Sequence, residues 1–100
     1  MMTQITLNTD FNFLQITPDF FPDADEFALW GQIFLNHEAI STLETSEGAD
    51  RHQIRFCWHG QNFNLNFEHY SESLWVSPEG VEAELLLEQL QLLLLSTLSE

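Results

Sequence analysis

The chain has 100 residues, 16 carboxylates, two fixed-charge cations (Arg51 and Arg55), no lysine and a formal net charge of −14. Such a charge repels polyanions and invites basic partners, so nucleic acid and anionic membrane surfaces are disfavoured. With 44% hydrophobic residues, nine Phe and three Trp, the chain is too apolar for a disordered acidic tail, and its length suits a single domain over residues 1–100.

The N-terminus, Met1-Met2-Thr3-Gln4, lacks the basic start and apolar stretch of a signal peptide. No segment reaches the ~18–20 apolar residues that span a bilayer. The expectation is a soluble, cytoplasmic protein. Residues 3–8 (Ile5, Leu7) and 11–17 (Phe11, Phe13, then Leu14, Ile16) predict short strands around the turn signal Asn8-Thr9-Asp10. The alternation slips between Phe13 and Leu14, which calls for a bulge or a bend.

A helix follows. Asp23 is its expected N-cap, with Glu26 three residues on as in a capping box. Phe27, Trp30 and Phe34 recur at helical spacing, flanked by Leu29, Ile33 and Leu35, and Asn36-His37 marks the end. Gly31 either weakens the middle or lets another element approach closely. In residues 39–46, Ile40 and Leu43 fit either period, while the Thr and Ser content favours a strand. Ser46-Glu47-Gly48-Ala49-Asp50 reads as a loop.

The clearest signal is a hairpin. Ile54, Phe56 and Trp58 alternate with polar residues, as do Phe63, Leu65 and Phe67. A type II′ turn at Gly60-Gln61 would pair Trp58 with Phe63, Phe56 with Leu65, Ile54 with Phe67 and His52 with His69. On the polar face that register sets Arg55 across from Asn66, Gln53 across from Glu68, Arg51 across from Tyr70, and Cys57 beside Asn64. Leu74 and Val76 continue as a further strand, closed by Pro78, with Trp75 on the reverse face.

Residues 79–98 predict a second helix. Ala83, Leu86, Leu87, Leu90, Leu93, Leu94 and Leu98 share one broad face; Val81, Leu85, Leu92 and Leu95 form a second stripe. That stripe would pack on the N-terminal strands or on another copy of the chain. Half of the acids have a local reason at helix starts, where the dipole is positive: Asp19, Asp23, Asp25 and Glu26, then Glu79, Glu82, Glu84 and Glu88. The order β-β-α-β-β-β-β-α predicts an α+β two-layer sandwich, a mostly antiparallel sheet with both helices on one face.

Candidate chemistry is sparse. His52 and His69, with Glu68, could share a metal if the two strands set them opposite each other. The plainer reading is two half-exposed histidines at a frayed hairpin end. Arg51 and Arg55, i and i+4 on a strand, share a face and could hold an anion. Ordinary cross-strand ion pairing accounts for them more simply. Lone Cys57 excludes an intramolecular disulfide, and no activating base is evident beyond its neighbours Arg55 and His59. No glycine-rich phosphate loop or nucleophile elbow occurs, and the lack of lysine removes Schiff-base chemistry. No cofactor is expected. Trp75, alternating away from Leu74 and Val76, would make an interface anchor if exposed.

Across Phe67-Glu68-His69-Tyr70-Ser71-Glu72-Ser73-Leu74-Trp75-Val76 the chain resembles small acidic bacterial proteins classed only as a domain of unknown function. The resemblance covers mainly this hairpin, the following strand and the C-terminal helix, and it implies no activity. The residues themselves lead to three expectations. The first is a non-enzymatic acidic module for a basic protein partner, such as an inhibitor, an immunity-like protein or a nucleic-acid mimic. The second is a metal-binding protein or metal-assisted enzyme using His52, His69 and Glu68. The third is a homodimer through Val81, Leu85, Leu92 and Leu95.

Overall fold

The computed structural model describes residues 3–48 and 51–98. Strands β1 (Gln4–Asn8), β2 (Phe13–Thr17), β3 (Ser41–Glu47), β4 (Arg51–Trp58), β5 (Gln61–Glu68) and β6 (Ser73–Pro78) form one sheet in the order β1-β2-β6-β5-β4-β3. Every neighbouring pair is antiparallel. Helices α1 (Phe27–Phe34), α2 (Val81–Leu85) and α3 (Leu87–Leu98) pack on one face of that sheet. The fold is an α+β two-layer sandwich in the expected element order, with the final helix divided in two.

Alternation decides what is inside. Leu14 and Ile16, Ile54, Phe56 and Trp58, Phe63, Leu65 and Phe67, and Leu74 and Val76 all point to the helical layer and are buried. Phe27 and Phe34 of α1, Ala83 of α2, and Leu87, Leu90 and Leu94 of α3 close over them in one cluster. At ~1.5–3 kcal/mol for each large apolar side chain buried, this layer supplies the main driving force of folding. The second layer ends before β3, whose seven residues are all exposed. Glu44, Glu47 and a register shift between Thr42 and Glu44 blunt that edge against further strand pairing.

Several local expectations change. The phase slip at Phe13 is not a bulge: the strand starts at Phe13, and Phe11 and Asn12 belong to the turn. Asn8 closes that turn, its side-chain Oδ1 accepting from the Asp10 and Phe11 N–H groups, both at 3.0 Å. Asp23 is not the helix cap, because a turn precedes α1 and Glu26 stands at the cap position. The reciprocal half of the box survives, since the Asp23 N–H donates to Glu26 Oε1 at 3.3 Å. β3 extends through Glu47, which the loop expectation missed; Ala49 and Asp50 lie outside the described residues.

Gly31 permits close approach. A Cβ there would overlap Ile54 Cδ1 and lie 3.3 Å from Leu65 Cδ2, so α1 sits directly on β4 and β5. The C-terminal helix breaks at Leu86, whose N–H donates to the Ala83 carbonyl three residues back, at 3.0 Å. The break rotates the stripes: Leu95 joins the core, while Val81, Leu85 and Leu92 stay exposed. Glu79 is not helical; it precedes α2, and its N–H donates to the Asn62 carbonyl at 2.9 Å.

The central hairpin has a different register. The turn is His59-Gly60, with φ of 54° and 72°, the two positive values a type I′ turn demands. Phe56 therefore faces Phe63, Ile54 faces Leu65, and His52 faces Phe67. Trp58 pairs with Gln61, Cys57 with Asn62, Arg55 with Asn64, Gln53 with Asn66, and Arg51 with Glu68. The shift from the expected pairing is two residues, so each side chain keeps its face and changes only its partner.

Candidate functional site

Among the described residues no helix covers the second face of the sheet, and Gln53, Arg55, Asn64, Asn66, Ser77 and Glu79 hydrogen-bond to one another there. Asn66 lies at the centre, only 4% exposed. It accepts from Gln53 Nε2 at 2.8 Å and donates to Ser77 Oγ at 3.0 Å, with longer contacts to the Asn64 and Trp75 carbonyls. Beside it, Arg55 Nε and Nη2 donate to Glu79 Oε2 and Oε1 at 2.8 and 3.0 Å. Asn64 Nδ2 adds a third bond to Glu79 at 2.8 Å. The hydrogen bond from Arg55 holds the Glu79 carboxyl below its usual range against the opposing effect of partial burial, with help from Asn64. The same contact raises Arg55.

Next to this network lies a groove of about 700 Å³. Phe13 and Gln15 of β2, Trp75 and Ser77 of β6, and Glu68 of β5 line it along the sheet. Phe11, Asn12, Pro78 and Glu84 close one end. Asn12 Nδ2 donates to Glu84 Oε1 and fixes that carboxylate. Aromatic walls with two carboxylates form a surface for a cation: ring faces attract positive charge through their quadrupole, and carboxylates attract it directly.

Two of the groove's wall residues, Trp75 and Glu68, already contact a cation that is not itself part of the lining. The Arg51 guanidinium carbon lies 5.8 Å from the centre of the Trp75 ring, and Arg51 Nη2 is 3.9 Å from Glu68 Oε2. Both contacts are weak: an exposed ion pair contributes ~0–1 kcal/mol and an exposed cation–π contact ~0.5–1 kcal/mol. The Arg51 side chain remains 62% exposed. The two arginines therefore differ in kind, Arg55 fixed at two points and Arg51 loosely placed.

The histidines do meet, though not as a cross-strand pair. His52 and His69 lie diagonally on the inner face with ring centroids 6.1 Å apart. Phe27 and Phe67 flank His52 at 6.0 and 6.1 Å. His52 is 7% exposed; both of its ring nitrogens, and His69 Nδ1, have no hydrogen-bond partner among the described residues. Glu68 faces the opposite side, toward Arg51 and the groove. Among the described residues no group of three or more His, Cys, Asp or Glu side chains is arranged to hold a metal ion.

The other candidates are placed as follows. Arg51 and Arg55 share the open face, each beside a carboxylate. Cys57 is half-buried and free. His37 accepts the Ala39 N–H on its Nδ1 at 2.9 Å, which fits its reading as a helix end. Trp75 is half-buried on the open face, with Leu74 and Val76 buried behind it. Glu79, Asn66 and Glu84 were not anticipated. Glu79 and Glu84 carried only the general acid-at-helix-start signal. Phe13 offered a better clue: an apolar residue out of phase at a strand start can mark an aromatic wall on the polar face.

The architecture defines a class: a small α+β sandwich with one helical face and one open, polar face bearing an aromatic groove. Residues 2–98 match the family described as "Protein of unknown function (DUF3630)", and the chain belongs to that family. No curated protein and no solved structure matches it. Among the described residues no helix is long and apolar enough to cross a membrane.

Proposed function

We propose that the chain is a non-enzymatic binding module that presents an acidic surface to a basic protein, with the open-face groove as its anchor point. The groove carries this reading. It combines Trp75 and Phe13 with the carboxylates of Glu68 and Glu84 on a chain of net charge −14. Long-range charge would speed encounter, and the aromatic anchors would supply short-range hold. The reading covers an inhibitor, an immunity-like protein or a nucleic-acid mimic, each of which would meet a basic partner through charge.

The test is calorimetric titration with polyarginine, and with a neutral polypeptide of equal length, across a salt series. Binding of the polycation that weakens steeply with salt and falls on Trp75→Leu supports the reading. Equal binding of the neutral polymer, or binding indifferent to salt, overturns it.

A further inference from the structure

We infer that the groove binds an arginine side chain of the partner and that Arg51 is its internal competitor. This rests on the reading above that the partner is basic, and it names the chemical group that the groove selects. Arg51 reaches two of the groove's walls, lying over the Trp75 ring at 5.8 Å and near Glu68 at 3.9 Å. Trp75 and Glu68 thus already contact a guanidinium, the same chemical group a foreign arginine would bring. A guanidinium is planar, delocalised and weakly hydrated, so it stacks on an indole face better than an ammonium does.

Arg51 is the cation that can leave. Arg55 is fixed by two short bonds to Glu79, whereas Arg51 has one long ion pair and a mostly exposed side chain. At the closed end of the groove, Glu84 is oriented by Asn12 and has no cationic partner among the described residues. An incoming arginine would displace Arg51 from Trp75 and gain Glu84, whereas the Arg51 contacts are with Trp75 and Glu68. Arg51 therefore sets a threshold: a partner must outcompete it, which disfavours weakly basic peptides.

The experiment uses the full chain, with the peptide acetyl-Gly-Arg-Gly-amide as probe and its citrulline counterpart as neutral isostere. The Trp75 indole N–H is followed by NMR, with Trp30 and Trp58 as internal references. The arginine peptide should shift Trp75 saturably and bind about tenfold more tightly than the citrulline peptide. Arg51→Gln should tighten binding by about threefold, while Gln89→Glu, an equal change of charge at an exposed position of α3, should leave it unchanged. Glu84→Gln should weaken it.

A Trp75 signal that does not move, or that moves equally with citrulline, overturns the inference. So does an equal gain from Arg51→Gln and Gln89→Glu, because net charge alone would then explain it. Salt-sensitive polyarginine binding that still falls on Trp75→Leu, with a Trp75 signal that the arginine and citrulline peptides move equally, overturns only this inference and leaves the acidic-module reading standing. Loss of polyarginine binding removes both.

Discussion

Arg55 and Glu79 grip each other at two points across β5, with Nε 2.8 Å from Oε2 and Nη2 3.0 Å from Oε1. Glu79 follows β6, and Arg55 lies on β4. The contact therefore ties two non-adjacent strands over Asn64, which donates to the same carboxylate. It is the strongest electrostatic link on the open face, because both partners are charged, the geometry is bidentate and the face around it is half-buried.

This link makes stability depend on pH in a defined direction. The Glu79 carboxyl is held below its ordinary value of 4.5, first by the Arg55 hydrogen bond. A carboxylate depressed in the folded state adds stability that is present above its unfolded value and lost as pH falls through its folded value. Arg55 is raised and stays protonated throughout that range. Thermal unfolding of Glu79→Gln should therefore show a lower midpoint than wild type at pH 7. The two should converge as pH falls below about 4. A gap of constant size from pH 7 to pH 3 would contradict this.

Gly31→Ala should destabilise the fold despite improving helix propensity. The propensity gain is at most ~1 kcal/mol, but the new Cβ would overlap Ile54 Cδ1. Overpacking of this kind costs ~1–3 kcal/mol. Each kcal/mol of net loss lowers the melting temperature of a domain this size by ~4–8 °C. Adding Ile54→Val should recover part of the loss in a double-mutant cycle measured by calorimetry.

His52→Phe should stabilise the protein. The imidazole packs beside the stacked Phe27 and Phe67 rings with neither nitrogen hydrogen-bonded among the described residues. A buried unsatisfied polar group costs ~1–3 kcal/mol, and an aromatic hydrocarbon of similar shape removes that cost. The urea midpoint of the variant should rise. A zinc-induced thermal shift in wild type that His52→Phe abolishes would instead show that the two imidazoles hold a metal.

Asn66→Ala should cost ~1–3 kcal/mol even though it removes no apolar packing. The change leaves Gln53 and Ser77 without the partners they have at 2.8 and 3.0 Å. Chemical denaturation should show the full loss. Gln15→Ala, an exposed position on the same face, should stay within ~0.5 kcal/mol of wild type.

Much of the fold is legible in the chain. Ile54, Phe56 and Trp58 against Phe63, Leu65 and Phe67 identify two strands and their buried face without any coordinates. The pairing between them is not legible in the same way. The side-chain period is two, so a slip of two residues leaves the same set inside, and hydrophobic pattern cannot separate the two registers. The positive φ values at His59 and Gly60 decide it. His59 in that position is unusual enough for the sequence to point to Gly60-Gln61 instead.

The helical break at Leu86 is hidden for a related reason. Leucine runs throughout residues 85–95 fit more than one helical face, so periodicity alone does not show that the stripe turns there. Only packing against β1 and β2 selects Leu87, Leu90 and Leu94 as the buried set.

The amino-acid sequence by itself determined the element order, the inward face of each central strand and the acidic character, because these follow from local periodicity and from counting charges. The tertiary structure alone decided that Arg55 meets Glu79, that Arg51 rests on Trp75, that Glu68 turns away from His52, and that Phe13 and Glu84 border one groove. Those relations join residues from separate strands and a helix, and their distances depend on register and on how the layers stack. Neither quantity is carried by the pattern of any single segment.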